Sequence, residues 1–344
     1  MKNIKLQGLN EATMKKTKTR VDQLVKPQGS LGALEDLAVK LSGIYGVERP
    51  TITGKAVIVM CADHGVCDEG IASAPKIVTL IQSINIAKGV SGVGALAKLN
   101  GAKVYTVDIG IDTEDSHELL INQKVKRGTD NIAIGDAMTR SEVERAIEVG
   151  IMAAKQAISE GHNLLAIGEM GIGNTTPSTA LLSLLSGQSP ESLVGIGANF
   201  PTEKLPHKAA VIKRAIEGKS IDPNDPLDML AKVGGLEIAG MTGIILGAAH
   251  NRVPVIIDGY ISSISAILAC RLFKGASDYI IPSHASEEKS AALASSLLGV
   301  KPYLHLNMRL GEGSGAVLAF NLVESALAML NDMITFEEAG IAVV

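Results

Sequence analysis

The apolar residues of this chain gather in short continuous runs that end in something polar. AVIVMCADHG, residues 56–65, closes on Asp63 and His64, and VYTVDIG, residues 104–110, closes near Asp108. LLAIGEMGIGNTT, residues 164–176, carries Glu169, and PVIIDG, residues 254–259, carries Asp258. DYIIPSHAS, residues 278–286, ends in Ser283 and His284, and YLHLNMRLGEG, residues 303–313, ends in Glu312. Unbroken apolar runs bounded by Gly and Pro predict strands buried on both faces, as in a parallel sheet. Helical stretches follow nearly every run, at residues 76–99, 140–159, 236–250, 261–273, 286–298 and 316–331. Strand then helix, repeated, predicts an α/β fold with a parallel sheet and helices on both faces. Ligands of such folds bind beyond the carboxyl ends of the strands, and the acids and Gly-rich loops fall there. Residues 1–50 lack the strand pattern and read as helical. The division predicted is a main α/β domain over 50–315 and a small helical domain made of 1–49 with 316–344.

Composition narrows the classes. With 344 residues the chain has ample length for a core, and with 3% aromatics and no Trp that core must be aliphatic. Few aromatics and a net charge of -4 argue against nucleic acid as a partner, since neither stacking surfaces nor a basic footprint is present. No run of about 18 apolar residues stands out, so no membrane span is expected. The first twenty residues hold no apolar core of the secretory kind. Three cysteines, Cys61, Cys67 and Cys270, suggest no disulfide framework. A cytoplasmic protein fits these readings best.

Three Gly-rich segments carry the candidate chemistry. GEGSG, residues 311–315, opens onto a helix and holds one acid, Glu312, in a loop almost bare of side chains. Glycines let backbone N–H groups approach a ligand, and the lone carboxylate could act as a general base. A plain turn with a helix-capping Glu would look the same. GEMGIGNTT, residues 168–176, is a second strand-to-helix loop with Glu169. VGIGAN, residues 194–199, is a third, with Lys208 downstream; bare N–H groups beside one Lys are phosphate-binding chemistry. No Walker loop and no dinucleotide fingerprint after the first strand are present, which weakens an NTPase or NAD reading. Asp63, His64 and His284 could suggest a metal-dependent hydrolase, although their spacing matches no structural zinc pattern.

Nine segments, KPQGSLGALEDLA, CADHGV, PKIVTLIQ, GEMGIGNTTP, VGIGAN, KVGGLEIAGMTG, DGYISS, PSHASEEK and MRLGEGSGA, run in order along nearly the whole chain. In them the chain resembles the nicotinate-nucleotide–dimethylbenzimidazole phosphoribosyltransferases of cobamide assembly. The resemblance implies a Rossmann-like parallel domain with a small helical domain from both chain ends, usually as a homodimer. It implies transfer of phosphoribose from nicotinate mononucleotide to an aromatic acceptor, with no metal or cofactor required. Glu312 then matches the general base and Glu169 a second acid. The nucleotide contacts map onto Asn174, Thr175, Gly195, Gly197, Ala198, Asn199, Lys208, Ser286 and Gly311. The acceptor slot maps onto Gln82, Met170, Leu310 and Ala74. Benzimidazole-using relatives have Ser where this chain has Ala74, and Ser73 in an extended segment would face elsewhere. Relatives that attach phenol or p-cresol, some as complexes of two paralogues, are the alternative this substitution raises.

Overall fold

The computed structural model describes residues 4–341 of the chain. Six parallel strands form one sheet: β1 (Lys55–Ala62), β2 (Lys103–Gly110), β3 (Ile121–Asn122), β4 (Leu164–Met170), β5 (Val255–Ile257) and β6 (Ile280–Pro282). Their order is β3-β2-β1-β4-β5-β6. The chain starts at the middle of the sheet, winds outward to β3, then restarts beside β1 and winds the other way. The switch point therefore lies between β1 and β4, where Met60 pairs with Glu169. A crevice opens beyond the strand ends at such a point, because neighbouring connections leave in opposite directions.

Both faces of the sheet are buried, as the continuous apolar runs require. Ile58, Met60 and Ile167 share one core with the helices Arg140–Ser159 and Leu236–His250. The second of these is apolar all round: every residue from Leu236 to Ala249 is buried. Val57, Val59 and Ala166 on the opposite face share another core with Leu37, Leu41, Phe320 and Val323. There the N-terminal helices Glu11–Gln23 and Ala33–Tyr45 pack together, and Phe320–Asp332 from the other end of the chain packs on the second of them.

The structure departs from the sequence reading in four places. Residues 303–313 do not form a strand. They run beside the segment after β6, with Leu304 O accepting from Ala285 N at 2.8 Å and Met308 O from Glu287 N at 2.9 Å, but only an isolated bridge joins them. The run has no β-branched residue from Tyr303 to Leu310, Asn307 turns at φ 54°, and Leu306 and Leu310 are exposed. The sixth strand is instead β3, two residues at the sheet edge and too short to leave a pattern. Second, the helix expected over 76–99 breaks into Ile77–Ala87 and Gly92–Leu99, the latter capped by Ser91, whose hydroxyl accepts from Gly94 N at 3.1 Å. Third, the helix expected from residue 286 begins at Ala291, since Ala285 and Glu287 donate to Leu304 O and Met308 O and the chain then turns through Lys289 and Ser290. Fourth, the C-terminal helix comes in two pieces, Ser314–Leu318 and Phe320–Asp332.

The spans Ile77–Leu99 and Ser314–Asp332 are each long and apolar enough to cross a membrane by length and composition, which the sequence reading overlooked. Core helices of α/β proteins meet the same criterion, and Val317, Phe320 and Val323 lie in the sheet's second core.

Candidate active site

A cavity of about 270 Å³ opens beyond the carboxyl ends of β4, β5 and β6. Glu169 enters it from the end of β4, Asp258 follows β5, and His284 follows β6. Glu312 arrives from the loop after residue 310, in the left-handed region at φ 63°. A non-glycine residue there costs on the order of 1–3 kcal/mol and persists only where its surroundings hold it. Those surroundings are specific. Glu312 Oε1 accepts from Gln82 Nε2 at 2.5 Å, and Oε2 accepts from the Val93 N–H at 3.0 Å. The residue is 4% exposed. Glu312 is therefore not short of polar neighbours, as the bare loop suggested. The helix break after Ala87 supplies one of them: the new helix starting at Gly92 presents its first turn to the carboxylate.

The Glu312 backbone is fixed from below. Asp258 Oδ1 accepts from Gly315 N at 2.8 Å and Ala316 N at 3.1 Å, while Oδ2 accepts from Gly313 N at 3.2 Å. Glycine is required at 168 by close approach, because a Cβ there would lie 2.0 Å from the Glu312 carbonyl oxygen.

Glu169 sits on the same cavity, 9% exposed, with Asn174 Nδ2 donating to its Oε2. Burial pushes its carboxyl up to about 8, helped by the charges of Glu237, Asp258 and Glu312. At neutral pH it is thus a protonated acid in the unliganded protein, beside a second carboxyl group with two donors of its own.

The VGIGAN loop and Lys208 form the other half of the site. Lys208 is 2% exposed; its Nζ donates to Thr175 Oγ1 at 2.8 Å and lies 3.5 Å from Gly195 O. Burial lowers its ammonium to about 8. A smaller cavity, about 50 Å³, is lined by Lys208, Phe200 and Ala74, and it shares Asn174, Thr175 and Ala198 with the large one.

Most of the residues expected from the sequence come together here. Gln82, Met170, Leu310, Gly311 and both glutamates line the large cavity, as do Gly197 and Ser286. Ala74 lines the smaller cavity, with Lys208, and not the large one that the other three acceptor positions line. Gly195 borders Lys208, and Asn199 Oδ1 accepts from Arg309 at 2.7 Å. Asp258, His284, Glu288 and Arg309 also line the large cavity and were not expected there, although Asp258 and His284 had been noted at run ends. The signal for them lies in DGYISS for Asp258, in PSHASEEK for His284 and Glu288, and in MRLGEGSGA for Arg309.

Asp63, His64 and His284 do not converge. His64 Nε2 lies 3.1 Å from Glu237 Oε1, both side chains fully buried, and Asp63 Oδ2 accepts from Asp112 N at 2.9 Å. His284 Nδ1 lies 3.1 Å from Ser283 Oγ and 3.7 Å from Asp258 Oδ1. Among the described residues no group of three or more His, Cys, Asp or Glu side chains is placed to hold a metal ion.

Comparison with known proteins gives the family. A family model described as phosphoribosyltransferase (DBI_PRT) matches residues 6–341. The chain belongs to this phosphoribosyltransferase family. A nicotinate-nucleotide–dimethylbenzimidazole phosphoribosyltransferase of Alkaliphilus metalliredigens is 52% identical over 339 residues, covering 98% of this chain and 97% of that protein. One from Yersinia enterocolitica is 48% identical, over 97% of this chain and 94% of that protein. The solved structure of CobT from Thermus thermophilus superposes with a TM-score of 0.92 at 38% identity, covering 96% of this chain and 99% of that one. The phosphoribosyltransferase assignment leaves the metal-dependent hydrolase without support.

Proposed function

We propose that the chain moves the 5-phosphoribosyl group of nicotinate mononucleotide onto an aromatic nitrogen base of the dimethylbenzimidazole class, with release of nicotinate and inversion at C1. The observation that carries this reading is a pair of adjoining cavities that share Asn174, Thr175 and Ala198. Glu312 lines the larger, clamped between Gln82 and the Val93 N–H; Lys208 lines the smaller, beside Gly195 O. The names of the relatives support the same donor and acceptor.

The chemistry follows from charge. Nicotinate leaves from a pyridinium, so the electrons of the C1–N bond neutralise a cation and no general acid is needed. C1 gains positive character as that bond breaks. The unprotonated ring nitrogen of the acceptor attacks from the opposite face, and the N–H proton on its other ring nitrogen passes to the Glu312 carboxylate. Two donors hold the carboxylate in one orientation, which limits the reorganisation the proton transfer needs. Glu169, neutral in the unliganded cleft, can release its proton to solvent as the pyridinium binds and then face the positive C1 as a carboxylate. Phosphate at the Lys208 end fixes the distance between donor and acceptor.

One observation favours a second acceptor class. Ala74 has no hydroxyl to hold an azole nitrogen, and the neighbouring Ser73 Oγ is committed to Ala198 O at 2.5 Å. A phenol has no second ring nitrogen to satisfy, so phenol or p-cresol is the alternative acceptor, with this chain as one subunit of a heteromer. The test is nicotinate release from nicotinate mononucleotide with dimethylbenzimidazole, adenine, phenol or p-cresol. Release with dimethylbenzimidazole fastest supports the main reading, release with the phenols fastest supports the second, and no release with any acceptor, from the chain alone or with a paralogous subunit, overturns both.

A further inference from the structure

Glu288 is an acid of the cleft with no part in the chemistry above. It lies in the turn between β6 and the helix Ala291–Leu298, where its own N–H donates to Ser286 Oγ at 3.3 Å. The residue is 8% exposed and lines the large cavity. The carboxylate rests directly on the VGIGAN loop. A Cβ at Gly195 would lie 2.0 Å from Glu288 Oε1, so this contact exists only because residue 195 is glycine. Burial raises the Glu288 carboxyl above its ordinary value, and the charges of Lys208 and Arg309 and the Gly197 backbone act against that shift. Arg309 is itself turned toward the loop, donating to Gly197 O at 3.0 Å. The glycine loop that suits a phosphate here thus already lies against an acid that belongs to the chain, within the influence of two cations.

We infer that Glu288 is an internal occupant of the phosphate cradle, a specificity-determining residue whose carboxylate lies against the cradle loop until a nucleotide displaces it. The inference rests on the reading that this loop and Lys208 take the 5′-phosphate. Its consequence is selectivity. Inorganic phosphate or another small anion must displace Glu288 with no contacts elsewhere, and must then sit beside a like charge. Nicotinate mononucleotide brings ribose and ring contacts along the whole cleft, and these supply the free energy of displacement.

The experiment measures equilibrium binding of inorganic phosphate by ³¹P NMR and of nicotinate mononucleotide by calorimetry, on the full chain as wild type, Glu288→Gln, Glu288→Ala and Lys208→Ala. Glu288→Gln keeps the shape and removes the charge. Inorganic phosphate should bind Glu288→Gln and Glu288→Ala on the order of tenfold more tightly than wild type, and Lys208→Ala more weakly. Phosphate affinity unchanged or reduced in both Glu288 variants overturns the inference; a loss confined to nicotinate mononucleotide does so too, by making Glu288 a contact to the sugar. If Lys208→Ala leaves nucleotide affinity untouched, the cradle reading itself fails and takes the inference with it.

Discussion

Asp258 Oδ1 accepts the Gly315 N–H at 2.8 Å, and this bond ties the end of β5 to the loop that carries Glu312. The other carboxylate oxygen accepts from Gly313, the residue after Glu312. Asp258 thereby sets where the Glu312 carboxylate stands without touching it.

Replacing Asp258 by Asn leaves only one acceptor oxygen and turns an NH₂ group toward a backbone N–H. A buried donor left without a partner costs about 1–3 kcal/mol. Asp258→Asn should therefore lower stability to denaturant by that amount and reduce kcat more than it raises KM. Denaturation and steady-state kinetics check both; an unchanged kcat would mean the loop holds its shape without Asp258.

Glu169 gives a prediction in pH. Its folded pKa, about 8, lies above the ordinary value of 4.5. Between those values the folded chain binds more protons than the unfolded one, so this group's contribution to stability is full at low pH and falls as pH rises through about 8. Glu169→Gln cannot titrate. Its melting temperature should therefore gain on the wild type between about pH 5 and pH 9, as thermal unfolding across that range would reveal. A constant difference would contradict the raised pKa.

The α/β class, the parallel sheet and the runs holding β1, β2 and β4 were legible, because a strand buried on both faces leaves a continuous apolar signature. β5 and β6 are only three residues each, yet Val255–Ile257 and Ile280–Pro282 still sit inside the runs read for them. Residues 303–313 misled because leucines and a methionine alternate with polar residues there, while the backbone partners they would need are not offered beyond β6. In the site, the glutamates and Gly loops were visible as sequence. What was not visible is what they touch. Nothing local to Glu312 announces Gln82, 230 residues away, or the helix break that brings Val93 to its Oε2. Asp258 and Glu288 act on loops supplied by distant parts of the chain, so only the folded arrangement shows their work.

Lys208 is expected to make nucleotide affinity pH-dependent. Its folded pKa is lowered to about 8 in the unliganded chain, while a bound phosphate favours the charged ammonium. Affinity for nicotinate mononucleotide should then weaken as pH rises above about 8, approaching roughly tenfold per unit, since binding must recover the lost proton. Calorimetry in buffers of different ionisation enthalpy should show proton uptake there. No uptake and flat affinity would remove Lys208 from the phosphate contacts.

Ala74→Ser should shift the acceptor preference. A hydroxyl that reaches an azole nitrogen is worth about 1 kcal/mol, or roughly fivefold in kcat/KM for dimethylbenzimidazole relative to p-cresol. Competition between the two acceptors reads that ratio directly; an unchanged ratio would show that residue 74, lining the smaller cavity, does not see the acceptor.

The most direct test of the account is a single-turnover measurement on Glu312→Gln with saturating nicotinate mononucleotide and acceptor. The amide can keep a contact to Gln82 or Val93 but cannot take the acceptor's proton. The account predicts nucleotide affinity within about twofold of wild type and a chemical step slower by on the order of 10²–10⁴. A step as fast as the wild type's would show that Glu312 is not the base.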